Sequence, residues 1–399
     1  MAKHTLMLTQ QCNLRCNYCY VKKSSAVMSL AMAKRAIDFA FRHTPPDEVV
    51  DIGYFGGEPL IEFLRLREIT AAIKDHPDYR RERVVLSVIS NGTVWSNAIA
   101  DYLEDKQIHP CISCDGPADV QDSARRFRNG KPSSTIVERH LRLAASRFPG
   151  LHVNAVVSPA TLRSLPRTID YLVDLGVRKI HLNPDYSASW SLVDLDDLPG
   201  IYGEVGGRYL HHRSRGVPVF VNLIDSKIAA ILRGGYQAAE KCRMGTAEFA
   251  YAPGGWIYPC ERLIGAGDGS GPHCMGHFDS ELKHPAHACS RQKTGNPECL
   301  SCGIRDYCMR WCACSNFFSS GHYDGVGAFL CASERAAIAA AFDVFSRVEQ
   351  DAEPAFFEHA SGRPHSDAST SVYPVAPPAP GHGQAVRFFH PQEGGFSND

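Results

Sequence analysis

The sequence lacks any apolar run long enough to cross a bilayer, any excess of charge of one sign and any export signal at its start. Each absence excludes something. A membrane-spanning helix needs about 20 consecutive apolar residues, and no stretch reaches that length. Lys and Arg together number 42 against 43 Asp and Glu, for a net charge of −1. Without a basic excess, neither nucleic acid nor an anionic membrane is an expected partner. The opening stretch, MAKHTLMLTQQC, has neither the apolar core nor the small-residue cleavage site of a signal peptide, so a cytoplasmic protein is expected. No solenoid-type repeat is visible either. The 399 residues suffice for one large domain or two to three ordinary ones, and 44% hydrophobic with 21% charged residues is an ordinary globular composition.

Cysteine is plentiful. There are fifteen, an odd number, and in a reducing compartment they do not form a disulfide framework. They are also clustered: three at residues 12–19, two at 111–114 and ten between Cys242 and Cys331. That distribution predicts at least two separate metal sites.

From residue 5 to about 220, short apolar runs alternate with helical patterns. Strands are expected at TLMLTQ, VVDIGYF (49–55), VVLSVIS (84–90), HPCISCDG (109–116), LHVNAVVSP and VRKIHLNP (177–184). Between them, Ser29 can cap a helix whose Ala33, Ile37, Ala40 and Phe41 share a face, and Gly176 can end another as its C′ residue. Alternating strands and helices predict an α/β fold with a parallel sheet. Six units are too few for a closed eightfold barrel, so a partial, open (β/α)6 TIM-like barrel is expected over residues 1–225, with its site at the C-terminal ends of the strands. Residues 226–335 turn Cys- and Gly-rich with weak periodicity, as in a segment held by metal. A helix is expected to follow at 336–352, its pattern visible from about residue 332, and residues 353–399 read as a disordered tail.

The first cysteine group, QCNLRCNYCY, places Cys12, Cys16 and Cys19 in one loop after a strand. Three thiolates cannot close a structural zinc site, which takes four ligands. A [4Fe–4S] cluster also takes four, one per iron, so three leave one iron open. The C-x3-C-x2-C spacing with Tyr18 before the third cysteine resembles the radical S-adenosylmethionine (SAM) enzymes. In that family the open iron chelates SAM, and an electron from the cluster cleaves it to methionine and a 5′-deoxyadenosyl radical. Further segments extend the resemblance. Gly56, Gly57 and Glu58 in YFGGEPL match the GGEP motif that binds the SAM amino group, with the glycines expected to let backbone approach the ligand. Asn91 in ISNGT matches the segment lining the SAM pocket, and Ser113 with Arg125 matches an S-x-DGP…R pattern that can reach the SAM carboxylate. For Ser113 and Arg125 a polar turn and a solvated helix charge are the plain alternatives, as a capping or surface acid is for Glu58. Cys111 and Cys114 match no motif and read as ordinary thiols.

The second half gives Cys242, then Gly255 and Cys260 at G-x4-C, then Cys299, Cys302, Cys308 and Cys312 at C-x2-C-x5-C-x3-C, then Cys331. A single C-x2-C is more often half a zinc site, but the whole series resembles the SPASM domain that follows the radical SAM domain in peptide and protein maturases. The resemblance implies two auxiliary [4Fe–4S] clusters, three clusters in all: one held by Cys242, Cys260 and Cys312, the other by Cys299, Cys302, Cys308 and Cys331. Full members supply an eighth cysteine between the first two positions, and none lies between Cys242 and Cys260. The nearer auxiliary cluster then either keeps an open iron or takes Cys274, Cys289 or Cys314. Glu261 stands where sulfatase-maturing relatives have a catalytic aspartate, so it is a candidate base, with a solvated carboxylate as the alternative. Asn183 and Asp185, after the sixth strand, also face the expected site.

The implied activity is an oxidoreductase that modifies a residue of a ribosomally made peptide, giving a thioether or carbon–carbon crosslink. The alternatives are oxidation of Cys or Ser to formylglycine in a sulfatase, and dehydrogenation of a small alcohol. Met309, Arg310 and Trp311 stand where sulfatase maturases tend to carry Gly-Gly-Cys, which favours the crosslink. The expected partners are a peptide or protein substrate and an electron donor such as flavodoxin or ferredoxin. Only eleven residues precede Cys12, so leader recognition is expected from the barrel itself or from a separate leader-binding protein.

Overall fold

The computed structural model describes residues 1–280, 282 and 296–350. The segment expected to form a disordered tail and Cys289 lie outside the described residues. The strands are β1 Ala2–Thr9, β2 Val50–Gly56, β3 Val84–Ser90, β4 Ile108–Ser113, β5 His152–Val157, β6 Lys179–Pro184, β7 Phe220–Val221, β8 Glu248–Tyr251, β9 Trp256–Tyr258 and β10 Gly276–His277. The helices between β1 and β7 are α1 Leu30–Arg42, α2 Phe63–Lys74, α3 Asn97–Asp105, α4 Ala118–Ala124, α5 Ser134–Arg147, α6 Leu165–Asp174 and α7 Leu192–Ser214. After them come α8 Asn222–Leu232, α9 Pro297–Leu300, α10 Ala313–Ser320 and α11 Ala328–Gln350.

All ten strands form one sheet in the order β10-β9-β8-β1-β2-β3-β4-β5-β6-β7. β1 through β7 pair in parallel, as the alternation of strands and helices predicts, and the edges do not meet, so the barrel is open. Two features exceed the sequence reading. A two-residue seventh strand, β7, follows the six expected. The Cys-rich half does not stand apart: its β8 pairs in parallel with β1, Lys3 opposite Glu248, and a β9–β10 meander continues the sheet.

Local chemistry explains the elements. Ser29 accepts the Met32 N–H at 3.1 Å and caps α1, whose Ala33, Ile37, Ala40 and Phe41 are all buried. Gly176 follows α6 at φ +90°, with Gly176 N–H on the Val173 carbonyl and Val177 N–H on that of Leu172, a paired C-terminal closure. Along β3 to β6 every second residue packs on the helices, among them Leu86, Val88, Ile112, Val153, Ala155, Ile180 and Leu182. The alternate residues face the concave side and are largely polar: Ser87, His109, Ser113, His152, Asn154, His181 and Asn183.

The last helix differs from expectation. It starts at Ala328, eight residues before 336 and four before the visible pattern, so Cys331 and Glu334 lie on its first turns. Its Ala337, Ala341 and Val344 share one buried cluster with Tyr202, Val205 and Tyr209 of α7 and Ile224 and Ile228 of α8, which makes it part of the barrel core. A buried ion pair ties the same parts together. Lys227 on α8 meets Glu334 at 2.6 Å and also donates to the Tyr307 carbonyl, while Glu334 accepts the Met309 N–H, so the pair grips the loop that carries Cys308. Among the described residues no helix is long and apolar enough to cross a membrane, and none of the fourteen described cysteines is in a disulfide.

Candidate functional site

The loop after β1 carries Cys12, Cys16 and Cys19 and is held on two sides by main chain. Gly57 N–H donates to the Thr9 carbonyl at 2.7 Å and Glu58 N–H to that of Gln11 at 2.8 Å. Opposite, Arg15 N–H donates to the Arg126 carbonyl and Asn17 N–H to that of Ala124. The glycine pair is explained by this contact. A Cβ on Gly56 would sit 2.3 Å from the Thr9 carbonyl oxygen, and one on Gly57 2.1 Å from that of Gln11. In the structure these glycines permit a close approach to the cysteine loop.

Glu58 is fully buried. Its Oε1 accepts Leu60 N–H and the Ser90 hydroxyl, each at 3.0 Å, and its Oε2 accepts Asn91 N–H at 2.6 Å. It does cap the short turn at Pro59–Glu62, but it is no surface acid. Burial outweighs these bonds and pushes its pKa up to about 7. A cationic amino group beside it would restore the carboxylate. Asn91 joins this network to the cysteines: its Nδ2 donates to Cys12 Sγ at 3.6 Å and to Asn13 Oδ1 at 2.9 Å, while its Oδ1 takes both donors of Thr93.

Asp115, the acid within SCDGP, organises the other side. It accepts Arg125 Nε at 2.9 Å, Val156 N–H at 2.9 Å and the Tyr18 hydroxyl. Arg125 lies over the Tyr18 ring at 5.3 Å and is 7% exposed, so it is not a solvated helix charge. Among the described residues its two terminal nitrogens have no hydrogen-bond partner. Ser113 ends β4 opposite Asn154 on the concave face. Asn183 reaches Asn154 on that face, whereas Asp185 caps a turn through Ser187. Cys114 is packed in the core, and Cys111 lies on the concave side of β4, with burial pushing both thiols up to about 12.

These surroundings suit thiolates. Cys12 Sγ accepts Leu14 N–H and the Asn91 amide, Cys19 Sγ accepts Lys23 Nζ at 3.0 Å, and Cys16 faces the Arg125 charge. Burial raises Cys12 and Cys16 as free thiols, so metal binding must supply the energy that deprotonates them. Among the described residues no three His, Cys, Asp or Glu side chains form a single-ion cage. The all-thiol donor set with amide, ammonium and guanidinium partners fits an iron–sulfur cluster. Asp115, Asn13, Thr93 and Lys23 were not singled out from the sequence. Asp115 could have been, because it lies inside the SCDGP motif, whereas the others carry no spacing signal.

The Cys-rich half brings its thiols into two groups. Cys242, Cys260 and Cys312 gather around Met244 and Leu263. Cys299 faces Cys302 and Cys331, and Arg335 of α11 hydrogen-bonds Cys331 while facing Cys302 and Cys308. Gly255 turns the chain from β8 into β9 at φ +92°, and a Cβ there would collide with Met32 Sδ and His277 Nε2, each at 2.6 Å. Glu261 is not a solvated carboxylate. It bonds Lys3 of β1 at 3.1 Å with its side chain 21% exposed. Burial alone would raise its pKa, but Lys3 and the local backbone prevail and hold it below the usual value. Tyr20, next to Cys19, faces both Glu261 and Cys260, so the barrel site and the Cys-rich half meet at this carboxylate.

Residues 6–172 match the radical SAM superfamily. An uncharacterized protein of Methanocaldococcus jannaschii is 30% identical over 180 residues, covering 45% of this chain and 61% of its own length, so the match spans about three fifths of that relative. The cysteine-type anaerobic sulfatase-maturating enzyme of Clostridium perfringens is 22% identical over 276 residues, 63% of this chain and 72% of that enzyme. The solved structure of anSMEcpe with bound AdoMet superposes with a TM-score of 0.74 at 17% identity, over 88% of this chain and all of that one (100%). Streptococcus suis SuiB bound to its precursor peptide SuiA gives 0.56 at 14% identity, over 83% of this chain and 75% of that one. At these identities the solved structures establish the fold. Residues 6–172 thus match the radical SAM superfamily, and over 276 residues the chain is similar to a cysteine-type anaerobic sulfatase-maturating enzyme.

Proposed function

We propose that this protein is a peptide or protein maturase, and that its product is a crosslink, thioether or carbon–carbon, within a ribosomally made peptide. The observation that carries the reading is Glu261, held ionised by Lys3 at the seam between the Cys12–Cys19 loop and the Cys242 group. When bound, SAM and its cluster supply a 5′-deoxyadenosyl radical that takes one hydrogen atom from the substrate. The chain's residues do the rest. Cys12, Cys16 and Cys19 hold the cluster, and Tyr18 and Asp115 fix the loop. Glu58 faces the SAM amino group through the GGEP turn, with Asn91 beside it, while the unpaired edge of Arg125 and the hydroxyl of Ser113 receive the SAM carboxylate. Glu261 then accepts a proton from the substrate radical. Cys242, Cys260 and Cys312 would hold the nearer auxiliary [4Fe–4S] cluster and Cys299, Cys302, Cys308 and Cys331 the other, and such clusters would supply an acceptor for the remaining electron. Loss of a hydrogen atom, a proton and an electron amounts to a two-electron oxidation. A flavodoxin or ferredoxin supplies the reducing electron in a cytoplasmic setting, and the barrel itself or a separate protein binds any leader.

A second reading, oxidation of Cys or Ser to formylglycine, is favoured by the likeness to the sulfatase-maturating enzyme of C. perfringens. One experiment separates the two. Reconstituted protein is incubated with SAM, dithionite and either a sulfatase-motif peptide containing Cys or Ser, or a small Cys-rich peptide encoded beside the gene. Loss of two hydrogens from the Cys-rich peptide supports the crosslink. An aldehyde in the sulfatase peptide supports formylglycine. Replacement of Glu261 by Gln is expected to lower product formation by about 100-fold or more while 5′-deoxyadenosine still forms. An unaffected product yield removes Glu261 from the mechanism.

A further inference from the structure

The nearer auxiliary thiol group contains one member that the spacing pattern does not assign. Cys314 is the second residue of α10, two positions beyond Cys312, which is that helix's N-cap. It is 5% exposed and packs in one cluster with Cys260, Met244 and Leu263, against which Cys242 and Cys312 also pack. Its Sγ lies 3.7 Å from that of Cys312. It is also within hydrogen-bonding reach of Cys260, and Cys242 faces both Cys312 and Cys314. Four thiols from three separate stretches of chain therefore converge: residue 242 before β8, residue 260 after β9, and residues 312 and 314 at the start of α10.

A cation completes the setting. The guanidinium of Arg262 stands over Tyr186 at 5.5 Å and Phe318 at 5.3 Å and faces Cys314, Cys312 and Cys260. Among the described residues no carboxylate forms an ion pair with it, although its charge also helps lower the neighbouring Glu261. A buried arginine without a directly paired carboxylate is costly unless other negative centres face it, and a thiolate-bound cluster is such a centre.

Of the competing thiols, Cys274 does not reach this group. Cys274 packs on the other side of the hairpin with Met7, Val21, Tyr258 and Ile264, and its thiol donates to the Gly276 carbonyl. Cys289 lies outside the described residues.

We infer that Cys314 is the fourth thiolate of the centre held by Cys242, Cys260 and Cys312, and that this centre is closed. The inference rests on the radical maturase reading above. It replaces the cysteine missing between Cys242 and Cys260 with one from the far side of the C-x5-C-x3-C run. Its consequence is chemical: with all four irons bound by the chain, no iron is left for a substrate thiolate. The centre then only carries electrons, and any crosslink forms without the substrate sulfur resting on this cluster.

The test is spectroscopic and needs neither peptide nor turnover, so it fails or succeeds independently of the substrate assignment. The full chain is reconstituted anaerobically with iron and sulfide, and iron, sulfide and the reduced-cluster EPR signals are recorded for wild type, Cys314→Ser and Cys274→Ser. The expected wild-type auxiliary signals do not change when excess β-mercaptoethanol is added; only the signal of the Cys12, Cys16 and Cys19 cluster, with its open iron, responds. Cys314→Ser is expected to change one auxiliary signal or to lose about four irons per chain, and Cys274→Ser to match wild type. A wild-type auxiliary signal that shifts with β-mercaptoethanol overturns the closed centre even if the serine variant does not fold. A Cys314→Ser chain with full iron and unchanged signals, or a Cys274→Ser chain that loses an auxiliary signal, overturns the ligand assignment.

Discussion

Replacing Lys227 with Met tests how the two halves are joined. Lys227 and Glu334 have side chains 4% and 7% exposed and meet at 2.6 Å, with Lys227 also bonded to the Tyr307 carbonyl and Glu334 to the Met309 N–H. Lys227→Met leaves a buried carboxylate with a single backbone donor and removes one grip on the loop that carries Cys308. Breaking such a buried pair costs roughly 3–5 kcal/mol, whereas replacing both partners with apolar residues is often close to neutral. For a cooperative unit of this size that loss lowers the thermal midpoint by on the order of 10 °C. The assay is the thermal midpoint of the cluster-loaded protein, with iron per chain measured alongside, for Lys227→Met, Glu334→Leu and the double variant. The expected pattern is two large single losses and a double variant that recovers most of the stability. Single variants within about 1 kcal/mol of wild type, or strictly additive losses, would refute the reasoning, because contacting residues that share a buried charge pair must couple.

Gly57→Ala should push the cysteine loop away from the Gln11 carbonyl, which a Cβ would approach to 2.1 Å; the expected result is a chain that folds but binds markedly less iron in its first site, read by iron count. Asp115→Asn leaves Arg125 buried without its counter-charge and is expected to cost about 3 kcal/mol and to weaken SAM binding at least about tenfold, measured by titration of the cluster-loaded protein; unchanged affinity removes Arg125 from the SAM site. Glu58 gives a pH signature. Its folded pKa of about 7 exceeds the ordinary value of 4.5, so the SAM-free protein binds an extra proton between those pH values. That contribution is fully present below about pH 4.5 and is lost as pH rises through 7, a fall of up to roughly 3 kcal/mol. An ammonium group beside the carboxylate opposes the loss, so stabilisation by SAM should grow across that window. A flat difference curve contradicts the assignment of Glu58 to the amino group.

The strands and the first site were legible in the sequence because both depend on local pattern. β3 was read at its observed bounds, and the other five expected strands within about four residues, since alternate apolar residues pack on the helices and mark each run. The C-x3-C-x2-C spacing and the GGEP turn survive as neighbours in space for the same reason: both sit at ends of adjacent parallel strands. α7 was not read because Pro199 and four glycines at 200, 203, 206 and 207 dilute its helical signal, although the Ser191–Asp194 capping box marks its start. The pairing of β8 with β1 joins residues some 245 positions apart, and nothing local encodes it. Glu261 looked solvated in isolation because its partner, Lys3, is brought to it only by that pairing. Asp115 shows the intermediate case, present inside a motif that was read for its neighbours, Ser113 and Arg125.

The most direct test of the central claim is to reconstitute the chain anaerobically, count iron and sulfide, and then add SAM and dithionite and measure 5′-deoxyadenosine. The account predicts about twelve irons per chain and 5′-deoxyadenosine formation that is abolished in Cys12→Ala. A cluster-loaded chain that forms no 5′-deoxyadenosine, or a Cys12→Ala variant that still forms it, contradicts the account.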